Sequence, residues 1–167
     1  MKAYKFLTVD GVGVFSRFAW PRSDSGTGAW VESDVDPCRA GIHACRTTDL
    51  PYWVAPALYE IELDGLVAEH AIKVVAPRGR LVRRVATWND AAREAYGQMC
   101  FARAHELVEA AGGRLDGWAP PSAIAFAESA RLGFIAATIA EQLDGIEAHL
   151  AERERQSEWL VEHLTLA

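Results

Sequence analysis

Two hydrophobic periods divide the chain. Up to about residue 86, apolar and polar positions alternate over short runs broken by Gly, Pro and Asp, whereas from Trp88 the repeat lengthens to about 3.6. Residues 2–9 and 12–18 are rich in β-branched and aromatic side chains. Asp10-Gly11 between them predicts a hairpin with a two-residue type I′ turn, which needs positive φ at both central positions. The polar, glycine-rich stretch 21–28 predicts a loop, and Trp30-Val31 resumes a short strand. Residues 41–46 predict a further strand, followed by a short helix capped from Thr47-Thr48-Asp49 with Pro51 in its first turn. Strands over 58–63, 66–75 and 80–86, punctuated by Asp64-Gly65 and Pro77-Arg78-Gly79, complete a mainly antiparallel sheet.

In the second half, Asn89 or Asp90 can cap a helix running through Ala91, Tyr96, Met99, Cys100, Ala104 and Leu107 to Gly112-Gly113. A loop is expected over 116–121. A helix over 123–143 places Ile124, Ala127, Leu132, Ile135, Ile139 and Leu143 on one face. A last helix over 146–165 turns Ile146, Leu150, Trp159, Leu160 and Leu164 inward and leaves Glu152, Arg153, Glu154 and Arg155 in solvent. The expected class is therefore α+β, with a β-rich domain over 1–86 and a bundle of about three helices over 87–167 docked with it as one unit.

Composition narrows the setting. A chain of 167 residues, half of them hydrophobic, buries a core without disulfides or a structural metal. No run of about eighteen apolar residues is present to span a bilayer, and the opening residues reach Asp10 and Gly11 instead of an apolar signal core. Three widely spaced cysteines do not form a disulfide framework, so the expected location is the cytoplasm, with no membrane partner. Of the net charge of −6, residues 1–86 carry 11 basic and 10 acidic side chains, and residues 87–167 carry 6 and 13. That balance argues against nucleic acid as a partner, whose backbone is bound by clustered Lys and Arg.

Chemistry concentrates around Cys38, His43 and Cys45. Strand alternation over 41–46 puts His43 and Cys45 on one face, and Cys38 lies just upstream. Thiolate and imidazole ligands of this kind can hold zinc with an open fourth position, for which Cys100 and His105 are the helical candidates. The bland alternative is packing, since free Cys is among the most buried residue types. A Cys45 nucleophile paired with His43 is a further reading, but residues two apart on a strand point in parallel. Trp20, Trp30, Trp53, Tyr4, Tyr52 and Tyr59 either pack the core or wall an aromatic cleft, where Arg39, Arg46 or the Arg78–Arg84 cluster would meet a carboxylate or phosphate. Glu60 and Glu62 share a strand face. No glycine-rich phosphate loop precedes a helix.

Several of these segments carry a resemblance. Ala3-Tyr4-Lys5, Cys38-Arg39-Ala40-Gly41-Ile42-His43-Ala44-Cys45, Tyr59 to Gly65, Lys73-Val74-Val75-Ala76 and Leu81-Val82-Arg83 resemble an uncharacterised bacterial and phage domain family. Its signature is a Cys-basic-x-Gly-x-His-x-Cys strand, and the match covers residues 2–86. The helical half looks like an extension seen in actinobacterial relatives. The family brings no assigned activity. Gly41-Ile42-His43-Ala44, the segment Thr47 to Trp53 and the strand to Gly65 are also similar to the elements framing the nicotinamide pocket of ADP-ribosyltransferase-like folds, which would imply NAD. The opening strand Tyr4-Lys5-Phe6-Leu7 lacks the His or Arg those enzymes use, and residues 80–86 lack their Glu.

The expected function is a small-molecule or protein-binding module, with His43, Cys45, Arg46, Tyr52, Trp53 and Arg39 as its ligand-binding residues. The alternatives are an NAD-using transferase-like enzyme or zinc chemistry at Cys38, His43 and Cys45.

Overall fold

Strand β1 (Lys2–Leu7) alternates as its sequence requires: Ala3, Lys5 and Leu7 point to one face, Tyr4 and Phe6 to the other. The computed structural model describes residues 1–22, 26–36, 39–112 and 129–166, and the chain divides into two units, Met1–Asn89 and Asp90–Ala167. In the first unit β1 pairs antiparallel with β4 (Ala57–Asp64), β4 with β7 (Arg78–Arg84), and β7 with the two-residue β2 (Val31–Glu32). A second antiparallel sheet holds β3 (Ile42–Ala44), β6 (Lys73–Ala76) and β5 (Ala68–His70), in that order. Mutual backbone hydrogen bonds between Tyr4 and Cys45, at 2.8 and 2.7 Å, tie the end of β3 to β1.

One apolar cluster joins the two sheets. Ala3, Leu7, Ile61, Leu63 and Leu81 from the first meet Ile42, Ala44, Val74 and Ala76 from the second, with Trp20 alongside. Each fully buried Leu or Ile here stabilises the unit by about 1.5–3 kcal/mol relative to exposure. On the opposite face Phe6 packs edge-on against Trp88, with centroids 5.9 Å apart, and the Trp88 indole donates to the Ala55 carbonyl at 2.9 Å. Glu60, Glu62 and Asp64 of β4 face Arg83, Arg80 and Arg78 of β7 in register, so the basic cluster is engaged in cross-strand ion pairs.

Several local expectations change. The first turn is not type I′. Thr8 N–H donates to Val12 O at 2.9 Å and Gly11 N–H to Thr8 O at 3.0 Å, and only Gly11 takes positive φ (+78°). That is the pattern of a three-residue loop closed by a glycine bulge, which needs one left-handed residue instead of two. Residues 12–18 form isolated bridges, Leu7 to Gly13 and Val12 to Ala19, in place of a strand. The stretch 66–75 is itself a tight hairpin, in which His70 pairs with Lys73 across Ala71-Ile72. The short helix Thr47–Tyr52 is a 3-10 helix, and Asp49 caps it from inside the first turn by accepting from the Arg46 N–H at 2.9 Å.

The second unit contains α1 (Asp90–Ala111), α2 (Ser129–Asp144) and α3 (Ile146–Leu164). Together with the antiparallel sheets these establish an α+β protein. Gly112 at φ +53° ends α1 where the glycine pair predicts it. Ala104, Ala136 and Ile139 form an apolar cluster with Leu107 and Leu143 beside it. The predicted loop at 116–121 and the first residues of the 123–143 helix, including Ile124 and Ala127, lie outside the described residues.

α3 turns Leu160 and Leu164 inward and leaves Glu154 in solvent as expected, but the rest of its predicted face changes. Glu152 and Arg153 are buried, together with Gln156, Ser157, Leu160 and Leu164, while Ile146 and Leu150 are exposed. Polar partners explain the inversion. Gln156 donates to Gly133 O at 3.0 Å and to Glu152 Oε1 at 3.1 Å, Arg153 donates to Gln156 Oε1 at 3.0 Å, and Glu152 receives Arg155 at 2.6 Å and Arg103 at 3.2 Å. A Cβ at Gly133 would fall 2.9 Å from Tyr96 Oη and 3.0 Å from Gln156 Oε1, so a glycine there makes room for the network. Among the described residues no helix is long and apolar enough to cross a membrane.

Candidate functional site

β3 is short, and glycine positions it. Gly41 has φ +115°, and a Cβ there would lie 2.5 Å from Val75 Cγ1, so this residue lets the chain enter the sheet against β6. His43 then pairs with Val75 and Ala44 with Val74, which sends His43 to the side opposite the core residues Ile42 and Ala44.

A cavity of about 390 Å³ opens within the first unit, lined by His43 and Cys45 together with Lys5, Trp20, Trp53, Phe15, Phe18, Arg39 and Lys73. That size falls in the range of about 300–1,000 Å³ usual for small-molecule sites. The turn after β1 supplies much of the aromatic wall. Gly13 N–H donates to Phe18 O at 2.8 Å and Arg17 N–H to Gly13 O at 3.0 Å, with Arg17 held at φ +57°. Phe15, 80% exposed, reaches across to Trp53 edge-on with centroids 5.9 Å apart. Phe18 meets Trp20 in the same way at 5.6 Å. Trp53 is fixed by its indole N–H donating to Ile72 O at 2.6 Å.

The polar groups of this cavity are unusual. Lys5 stands on the inner face of β1, where Ala3 and Leu7 are buried. Its Nζ donates to the His43 carbonyl at 2.5 Å and lies 4.9 Å from the Trp20 ring centre, so a carbonyl and a π face meet it rather than a carboxylate among the described residues. Burial pushes the Lys5 ammonium down to about 8 from its ordinary 10.5. Burial, and after it the charge of Lys73, also lowers the His43 pKa, so the ring is neutral. The Ala40 carbonyl engages the imidazole. Nε2 is buried with no hydrogen-bond partner among the described residues. Burial pushes the Cys45 thiol up to about 12, which keeps it protonated and a poor nucleophile.

Four of the expected site residues, His43, Cys45, Trp53 and Arg39, line this one cavity; Arg46 and Tyr52 are not among its lining residues. Arg46 is a clamp instead. It donates to Asp49 Oδ2 at 2.8 Å and Oδ1 at 3.0 Å, to Glu69 at 3.2 Å and to the His70 carbonyl at 2.8 Å, pinning the 3-10 helix to the β5–β6 hairpin. Cys38 lies outside the described residues, and among those described no three His, Cys, Asp or Glu side chains gather as a metal-binding group. Of the aromatic set, Trp20 and Trp53 wall the cavity, whereas Trp30 stacks under Arg78 and Arg80 at 4.4 and 4.5 Å. A second, open depression at Asp34, Asp64 and Arg78 is already compensated: Arg78 holds Glu32 and Asp64, each at 3.3 Å.

Sequence reasoning missed Lys5. The signal was present, since a lysine alternating with Ala3 and Leu7 on an apolar strand is a charge on a buried face. Phe15, Phe18 and Lys73 carried no comparable mark. The assembled site can enclose a planar ring between aromatic walls, accept a hydrogen bond at His43 Nε2 and attract negative charge with Lys5, Lys73 and Arg39. No family model, no curated protein and no solved structure matches the chain.

Proposed function

We propose that the Met1–Asn89 unit is a binding module for small aromatic anions that carry a hydroxyl or ring N–H. One observation carries the reading: an aromatic cavity is lined by His43, whose buried Nε2 has no partner among the described residues, and by Lys5, whose amine has no carboxylate beside it among those residues. An unpartnered buried polar atom costs about 1–3 kcal/mol, and a ligand that fills the cavity and donates to Nε2 recovers it. Charge selects the sign. Lys5, Lys73 and Arg39 line the cavity against Glu32, whose carboxylate faces Arg78.

Calorimetric titration tests this with 4-hydroxybenzoate and indole-3-carboxylate against their neutral amides. The acids bind and the amides bind about tenfold or more weakly, with the difference shrinking at high salt. Equal affinity for acid and amide, or no binding by either acid, contradicts the reading. NAD belongs in the same titration, because His43 on β3 and Trp53 at the end of the 3-10 helix, the segments that resemble a nicotinamide-pocket frame, both line the cavity. A nicotinamide ring is planar and the pyrophosphate anionic, so NAD binding would extend the ligand class.

A further inference from the structure

We propose that Lys5 is a carbonyl-capturing amine: an aromatic anion bearing an aldehyde, seated in this cavity, condenses with Nζ to form an imine. The inference rests on the cavity reading above and adds covalent chemistry to it.

Placement is the first argument. Lysine occurs only at positions 2, 5 and 73. Lys2 points away from the cavity and is paired with Glu60 at 3.3 Å. Lys5 instead lines the cavity, covered by the Trp20 ring and held by one carbonyl hydrogen bond, an interaction that the neutral amine makes as well as the ammonium. The second argument is availability. A desolvated lysine with its pKa near 8 is neutral in about a tenth of molecules near pH 7, several hundredfold more than an ordinary lysine, and the neutral amine is the state that attacks carbonyls. The nearby Cys45 thiol stays protonated and does not compete. Arg39 and Lys73, which line the same cavity, remain to meet the ligand's carboxylate.

The step balances without an oxidant or reductant. The Nζ lone pair forms a C–N bond to the aldehyde carbon, and the carbonyl π pair moves to oxygen. A proton passes from nitrogen to that oxygen. Loss of the second N–H proton and cleavage of the C–O bond release water and leave the C=N bond, so amine plus aldehyde gives imine plus water.

The test treats the intact protein with 4-formylbenzoate and cyanoborohydride, which reduces the imine to a stable secondary amine, and maps the adduct by peptide mass spectrometry. The expected result is modification at Lys5 in large excess over Lys2, Lys73 and the N-terminal amine. 4-(Hydroxymethyl)benzoate, which fits the same space without an electrophilic carbon, suppresses it. The labelling rate rises with pH with a midpoint near 8 at Lys5. Denatured protein labels all three lysines evenly, which shows that selectivity comes from the fold. An even distribution on the folded protein, or a Lys5 midpoint near the ordinary 10.5, overturns the proposal. If the alcohol binds and Lys5 stays unmodified, covalent capture is wrong while the binding reading stands; if neither compound engages the protein, both fall.

Discussion

Replacing Lys5 with Met removes a buried ammonium while keeping the length of the side chain, and the apoprotein is expected to become more stable. The native pKa near 8 against 10.5 in the unfolded chain is a difference of about 2.5 units, or roughly 3 kcal/mol of cost for holding the charge. Losing the hydrogen bond to the His43 carbonyl returns about 1 kcal/mol, so the net gain near pH 7 is about 2 kcal/mol. The pH dependence has a definite sign. Between the native and unfolded values the unfolded chain binds more protons, so wild-type stability rises with pH from about 8 to 10.5. The advantage of Lys5→Met is therefore full below about pH 8 and nearly gone by about pH 10. Urea denaturation followed by tryptophan fluorescence near pH 7 and about pH 9.5 measures both limbs. A variant less stable than wild type by more than about 1 kcal/mol near pH 7, or a gain that does not change with pH, refutes the picture of an uncompensated amine.

Three further outcomes follow from the same geometry. Glu152→Ala leaves Arg103 and Arg155 without their shared carboxylate and is expected to destabilise the helical unit by roughly 2–4 kcal/mol in chemical denaturation. Burial alone would raise the Glu152 pKa, but hydrogen bonds from Arg155 and Gln156 outweigh it and hold the value below the ordinary 4.5; wild-type stability from this group is thus present above about pH 4.5 and lost as pH falls through the native value. Cys45 and Cys100, both buried with thiols pushed up to about 12, should resist iodoacetamide near neutral pH and react only on unfolding, as mass spectrometry of timed quenches would show; fast labelling of either in the native protein contradicts their burial. Phe15→Ala should weaken binding of 4-hydroxybenzoate by about tenfold with stability changed by less than about 0.5 kcal/mol, because its ring is mostly in solvent yet closes the cavity against Trp53.

Much of the architecture is legible in the sequence because it rests on period and punctuation. Richness in β-branched and aromatic residues places β1, an imperfect alternation places β4, and Asp64-Gly65 and Gly112 mark true ends. Where expectation and structure part, long-range partners decide. Glu152 and Arg153 look like a solvated helix face until Arg103 is brought to Glu152 and the Gly133 carbonyl to the neighbouring Gln156, and no local pattern encodes that meeting. Asp10-Gly11 specifies a glycine turn but not its type, since the choice depends on which neighbouring N–H closes the loop. In the site, His43 and Cys45 could be placed on one face by counting residues. That Lys5 would reach the same cavity depends on β3 ending beside β1 through the Tyr4–Cys45 hydrogen bonds, a contact 41 positions apart in the chain. Arg46 drew attention as a charge near the signature strand, yet Asp49 of the 3-10 helix and three acceptors of the β5–β6 hairpin, Glu69 and the His70 and Ala71 carbonyls, claim it.

Amide chemical-shift mapping with 4-hydroxybenzoate tests the aromatic-anion cavity most directly. On titration, the backbone amides of Gly13 to Trp20, Ala40 to Cys45, Trp53 and Lys73 should move together along one saturable binding curve, and the His43 side-chain Nε2 resonance should shift as its lone pair gains a donor. A saturating titration that leaves His43 Nε2 unmoved, or shifts that map to residues outside this cavity, contradicts it.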